Sequence, residues 1–143
     1  MKAHPDVDLV AICEPTPFLT SNLQRHLKIE TVKDHNSLRP DEIDAIVISK
    51  PNATLHDLAR WALSSGLHVF MEKPRCLSSE QSQDLADRAS QQNLITQVGY
   101  HNRFLGTFQK LRRIIHEGVL GEIYHIEGRA FGQVVIKKKT GTT

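Results

Sequence analysis

The sequence predicts an α/β fold built on a doubly wound parallel sheet, and three observations lead there. Short, nearly continuous apolar runs such as Leu9-Val10-Ala11-Ile12-Cys13 and Ala45-Ile46-Val47-Ile48 have the character of strands buried on both faces. Between them lie segments of about a dozen residues with apolar positions at helical spacing. Strands alternating with such helices define βαβ units, whose crossovers are right-handed.

The first apolar run ends at Glu14-Pro15 and leads into a helix that starts near Pro17 and runs to about Leu27. Proline is accepted there because its missing N–H falls in the first turn, where that donor has no partner anyway. Thr31-Val32 is a candidate short strand, and Ser37 to Glu42 a turn or weak helix. Ala45 to Ser49 is the next buried-type strand, stopped at Lys50-Pro51-Asn52. Leu55, Leu58, Ala59, Ala62 and Leu63 then share one helix face, and Gly66 stands where a left-handed cap is wanted. His68 to Met71 forms a third strand before Glu72-Lys73-Pro74. Ser78 followed by Gln81 has the capping-box pattern, opening a helix with Leu85, Ala86 and Ala89 on its apolar face. Leu94 to Gly99 reads as a fourth strand, and Phe108, Leu111 and Ile115 mark a further helix closed near Gly118. Glu122 to Phe131 alternates apolar and polar residues, as a strand with one wet face does.

Composition narrows the function. With 39% hydrophobic and 24% charged residues over 143 positions, the chain has the make-up of an ordinary globular domain. The 18 basic and 16 acidic residues are dispersed, which argues against a nucleic-acid partner. The one basic run, Lys137 to Lys139, reads as a solvated tail or loop. No apolar stretch reaches the length of a membrane span. The N-terminus has no secretory h-region, and Cys13 and Cys76 suit buried free thiols, so a cytoplasmic location is expected. The eight histidines are scattered without metal-ligand spacing, and no metal site is assigned.

Ligands of open α/β sheets bind beyond the carboxyl ends of the strands. That rule selects Glu14-Pro15, Ser49 to Asn52, Glu72-Lys73-Pro74 and Gly99 to Arg103. Glu14 offers a carboxylate able to accept hydrogen bonds from ribose hydroxyls; its alternative role is to stabilise the start of the following helix. Lys73 can polarise or protonate a substrate oxygen; alone, it would be a solvated strand-end lysine. His56 and His101 are read as packing or loop residues rather than general bases. Asn102 and Arg103 could equally brace the helix that follows.

These segments resemble the Gfo/Idh/MocA oxidoreductases, a family named for glucose–fructose oxidoreductase and inositol dehydrogenase. The resemblance rests on Val10 to Pro15, Asp44 to Ile48 with Pro51-Asn52 and His56, and Gly66 to Pro74 with its Glu-Lys-Pro triplet. Val98 to Phe104 and Leu120 to Ile123 complete it. It implies a Rossmann-like domain over residues 1–119 and the beginning of a second, α+β domain for substrate binding and oligomerisation over 120–143. It further implies that Lys73 is the catalytic residue and that Glu14, Ser49, Pro51, Asn52, Glu72 and Gln97 contact the dinucleotide. Asn102 and Arg103 would face substrate or nicotinamide. The implied cofactor is NAD, favoured over NADP because a carboxylate at Glu14 repels a 2′-phosphate. The implied partners are a small sugar or polyol substrate and, for the parent enzyme, further copies of itself.

The family's first strand, its Gly-x-Gly-x-x-Gly turn and the helix that takes the pyrophosphate have no counterpart in this sequence, where no glycine precedes Gly66. The doubly wound sheet is therefore expected to be incomplete, and Met1 resembles an internal methionine. In the usual strand order the first strand separates the runs at Leu9 and Ala45, so its absence leaves their edges unpaired or forces them together. A fragment on those terms is expected to be unstable alone and inactive. Two other readings compete with an enzyme fragment: a non-catalytic dinucleotide sensor of the same fold, and an inactive remnant. The intact Glu72-Lys73-Pro74 triplet argues against the sensor.

Overall fold

The computed structural model describes residues 4–50, 52–73, 76 and 78–129, with only the backbone at residues 52 and 53. The chain divides into two compact units, residues 1–100 and 101–143.

The first unit alternates strands and helices as the apolar pattern predicts: β1 (Ala11–Cys13), α1 (Pro17–Leu27), β2 (Glu30–Val32), β3 (Ala45–Ile48), α2 (Asn52–Ser64), β4 (His68–Met71), α3 (Ser79–Gln91) and β5 (Thr96–Val98). Two short 3-10 turns, His35–Ser37 and Pro40–Glu42, fill the stretch between β2 and β3. The local signals fall where the sequence puts them. Pro17 opens α1. The Ser78 hydroxyl accepts from the Gln81 N–H at 3.3 Å at the start of α3. Gly66, with φ of 79°, turns the chain after α2 in a conformation that costs an L-residue roughly 1–2 kcal/mol.

Every ladder is parallel, but the strands form two sheets, β1-β2 and β3-β4-β5. No ladder joins β1 to β3. Of the two outcomes expected for those edges, unpaired or forced together, the unpaired one is observed. The 3-10 turn after β2 reaches the second sheet's helix through His35, whose ring meets Trp61 of α2 edge-on at 4.9 Å between centroids.

The core belongs to the second sheet. Ile48, Val69 and Met71 point to one face and are covered by Leu55, Ala59, Ala62 and Leu63 of α2 and by Leu85 and Ala89 of α3. The opposite face departs from the expectation of strands buried on both sides, because Ala45, Val47 and Gln97 are exposed. Both helices of this half lie over the same face, so alternate residues of β3 and β5 have no apolar cover. In β1 the residues are only half-buried, since the strand is paired on one edge alone.

The second unit contains a 3-10 turn, His101–Phe104, and α4 (Gly106–His116). Residues 122–129 adopt no regular structure, against the strand expected from Glu122 to Phe131. Alternation alone does not make a strand; a ladder partner is needed, and none is present among the described residues. Residues 130 and 131, like the basic run at 137–139, lie outside the described residues.

Candidate functional site

Register places the candidate residues side by side. Ile48 pairs with Met71 and Met71 with Val98, so β3, β4 and β5 end level. The ladder continues one step beyond them: the Glu72 N–H donates to the Ile48 carbonyl at 3.0 Å and the Gly99 N–H to the Met71 carbonyl at 2.8 Å. Ser49, Glu72 and Gly99 therefore form a row across the carboxyl ends of three parallel strands. Ser49 and Glu72 are exposed. Gln97, in the middle of β5, pairs with Phe70 on the uncovered face. Pro51 and Pro74 lie outside the described residues, and Asn52 is seen only as the first residue of α2.

Lys73 follows directly. Its N–H donates to Oε2 of Glu72 at 3.3 Å. Its side chain is exposed and makes no ion pair or hydrogen bond with any described residue.

Glu14 occupies the equivalent place after β1. Its N–H donates to the Val32 carbonyl at 2.9 Å. The buried Thr20 hydroxyl donates to the Glu14 carbonyl at 2.8 Å, locking α1 to the strand end. Oε1 of Glu14 accepts from the Thr16 N–H at 2.8 Å. Hydrogen bonds from the Thr16 side chain and backbone hold the carboxyl below its ordinary value, and the charge of Lys50 acts in the same direction. Glu14 is thus an ionised acceptor, although its bond to Thr16 also serves the start of α1. Burial pushes the neighbouring Cys13 thiol up, against the pull of Lys50.

Two residues lie within the segments selected from the sequence but were given no role of their own there. One is Lys50, whose charge reaches both Glu14 and Cys13 from the end of β3. The other is Gly99, where an added Cβ would lie 3.3 Å from Cζ of Phe70 and 3.4 Å from Oε2 of Glu72. The available signal was position alone: each follows closely on the last residue of a strand.

His56 has a structural role. Its Nε2 lies 3.1 Å from Oδ2 of Asp84, which also meets Arg60 at 3.4 Å, while Oδ1 of Asp84 takes Arg88 at 2.8 Å. This clasp joins α2 to α3. Burial opposes the charge on Asp84, but Arg88, His56 and Arg60 outweigh it and lower its pKa. A carboxylate whose pKa is lower folded than unfolded adds stability above its unfolded value and loses it as pH falls through the folded one. Glu14, Asp34, Glu80 and Asp84 all shift this way. Urea midpoints of the full-length protein should therefore hold steady above about pH 5 and decline below about pH 4, with a shallower decline in Asp84→Asn. A midpoint that rises on acidification would contradict this assignment.

Asn102, Arg103 and His101 are exposed residues of the 3-10 turn in the second unit. No group of acidic, histidine or cysteine side chains among the described residues could hold a metal ion. No helix among them is long and apolar enough to cross a membrane.

Residues 1–100 match the model of an oxidoreductase family with an NAD-binding Rossmann fold. The chain is 31% identical over 127 residues to D-glucoside 3-dehydrogenase of Escherichia coli (strain K12), covering 87% of this chain and 36% of that protein. It is 29% identical over 126 residues to scyllo-inositol 2-dehydrogenase (NAD(+)) of Bacillus subtilis (strain 168), covering 87% and 37%. The chain thus spans about a third of the length of these curated relatives. Among solved structures, scyllo-inositol dehydrogenase from Lactobacillus casei with bound NAD(H) and scyllo-inositol superposes with a TM-score of 0.71 at 27% identity, over 80% of this chain and 35% of that one. Myo-inositol 2-dehydrogenase from Lactobacillus plantarum gives 0.68 at 27%, over 83% and 36%. With one ordered series of strand-end motifs and most of its length matched, the chain belongs to the Gfo/Idh/MocA oxidoreductase family, and its first hundred residues to that family's NAD-binding Rossmann fold.

Proposed function

We propose that this chain is part of an NAD-dependent dehydrogenase acting on a secondary hydroxyl of a sugar or polyol, with Lys73 as its catalytic residue. The observation that carries the reading is the row of Ser49, Glu72 and Gly99 across level strand ends, with the Lys73 ammonium unengaged beside it. These residues fit a dinucleotide. Glu14 presents an ionised acceptor suited to ribose hydroxyls at the end of β1. When bound, the nicotinamide supplies the hydride chemistry. As its neutral amine, Lys73 accepts a hydrogen bond from the reacting hydroxyl and takes its proton as the carbon is oxidised, becoming the ammonium that returns the proton in the reverse direction. Gln97, Asn102 and Arg103 face substrate or nicotinamide in the assembled enzyme, and residues 120–143 begin the second domain. Glycosides and inositols are the substrates named for the relatives, and a soluble homo-oligomer of the cytoplasm is the setting we propose for the parent.

The 143 residues contain no Gly-x-Gly-x-x-Gly turn to cradle the pyrophosphate, so tight NAD binding requires sequence outside them. The test therefore uses the full-length protein. Mixed with NAD and a panel of inositols, glucosides and free sugars, it should produce absorbance of the reduced cofactor with at least one of them. Tight cofactor binding with no turnover of any polyol or sugar would instead support a sensor.

Glu14 sets cofactor choice in this account. Glu14→Ser should narrow the preference for NAD over NADP by roughly tenfold, by relieving repulsion against a 2′-phosphate. Kd values for both cofactors, measured by fluorescence, check this; an unchanged ratio would confine Glu14 to the start of α1.

A further inference from the structure

We infer that Lys50 holds the diphosphate of the cofactor, between the ribose at Glu14 and the nicotinamide near Lys73; this rests on the dinucleotide-binding reading above. The order of the strand ends carries the inference. Ile48, the last residue of β3, pairs with Met71, the last of β4, so Lys50 and Lys73 each stand two residues past neighbouring strand ends. Glu14 is the first residue past β1. No ladder joins β1 to β3, yet the charge of Lys50 is felt at both Cys13 and Glu14, which sets the ammonium toward the end of β1. A carboxylate, a cation and a second lysine thus follow one another across the ends of β1, β3 and β4.

A dinucleotide has its parts in the same order. Its two riboses flank a diphosphate with a negative charge on each phosphate. With the adenosine ribose at Glu14 and the nicotinamide near Lys73, that diphosphate lies over the end of β3, where Lys50 is the cation. Lys50 is half-buried, so part of its side-chain freedom is already spent in the fold. It makes no hydrogen bond or ion pair with any described residue, Glu14 included. Lys33 also follows a strand end, that of β2, but its charge is felt at neither Glu14 nor Cys13. The N–H groups of a Gly-x-Gly-x-x-Gly turn offer a phosphate hydrogen bonds and only partial charge, whereas a lysine adds a full, compact one.

Binding of three ligands to the full-length protein tests this: NADH, ADP-ribose, which keeps the diphosphate without the nicotinamide, and adenosine, which has neither. Lys50→Met removes the charge and keeps an apolar stem, with the thermal midpoint as a folding control; Lys50→Gln gives the same comparison if the methionine variant does not fold. The substitution should raise the Kd of NADH and of ADP-ribose roughly tenfold each and leave that of adenosine within about twofold. It should also flatten the rise of the NADH Kd with added KCl, and Lys50→Arg should recover most of the affinity. Equal weakening of all three ligands would overturn the inference and assign Lys50 to the support of Glu14. Unchanged Kd values would overturn it too, as would a loss confined to NADH, which would place Lys50 at the nicotinamide. Wild-type protein that binds neither NADH nor ADP-ribose removes the dinucleotide reading itself, and the inference with it; that outcome is separate because it appears before any substitution is made.

Discussion

Replacing Lys73 with alanine in the full-length protein is expected to lower kcat by about two to four orders of magnitude, the range associated with removing a positioned acid–base group. The substitution removes an exposed side chain that makes no hydrogen bond or ion pair with a described residue, so no such bond among them is lost. Thermal stability should be nearly unchanged, and NADH affinity should fall far less than kcat. Lys73→Arg should rescue little, because guanidinium stays protonated and cannot accept the hydroxyl proton. A residual kcat within threefold of wild type would move the catalytic role elsewhere and return Lys73 to a solvated strand-end residue. Steady-state kinetics with NAD and the best substrate of the panel decide the matter.

The second large effect is on stability. Leu63 lies in α2 with no solvent exposure, within the cluster of Leu55, Ala59, Leu67, Val69 and Met71 that fastens the helix to β3 and β4. Leu63→Ala removes buried methyl groups and leaves a cavity that the parallel sheet beneath cannot collapse to fill, at a cost of about 2–5 kcal/mol. That is a large part of the stability of an ordinary domain. Because α2 begins at Asn52, close in sequence to Ser49, the same change should loosen the candidate site. Urea unfolding of the full-length variant should show a lower midpoint at similar slope, whereas Ser90→Ala, on the exposed side of α3, should stay within about 0.5 kcal/mol of wild type. If the two variants behave alike, the core has been misplaced.

Most of the first unit was legible because its signals are local. Pro17, Gly66 and the Ser78–Gln81 pair act on their own backbone neighbourhood, and the Leu55 to Leu63 spacing needs only one helix to make sense of it. Pairing between distant strands is less visible. The runs at Ala45 and Leu9 look buried on both faces, but in the structure α2 and α3 cover one face of β3 to β5, and β1 pairs only with β2. The alternation from Glu122 onward is that of a strand, yet residues 122–129 have no ladder partner among the described residues.

The candidate site shows the same division. Glu14, Ser49, Glu72 and Lys73 were identifiable because each stands at the end of an apolar run, where open sheets place their ligands. Gly99 gained its place in the row only from the register of β4 on β5. Lys50 gains significance only from the fold, which brings its charge to bear on Cys13, the last residue of β1, and on Glu14 just after it. His56 illustrates the reverse: a histidine within a family-like motif proves to be bound to Asp84 in a helix–helix clasp.

On the function proposed above, a hydride passes directly between a substrate carbon and the cofactor at these strand ends. The most direct measurement follows deuterium from the carbinol carbon of the polyol or sugar that turns over in the panel, using the full-length protein and NAD. Deuterium should appear at C4 of the reduced nicotinamide in one stereochemical position, and Lys73→Ala should slow its arrival without changing its destination. Deuterium released to solvent, or reduced cofactor formed without it, would rule out direct hydride transfer.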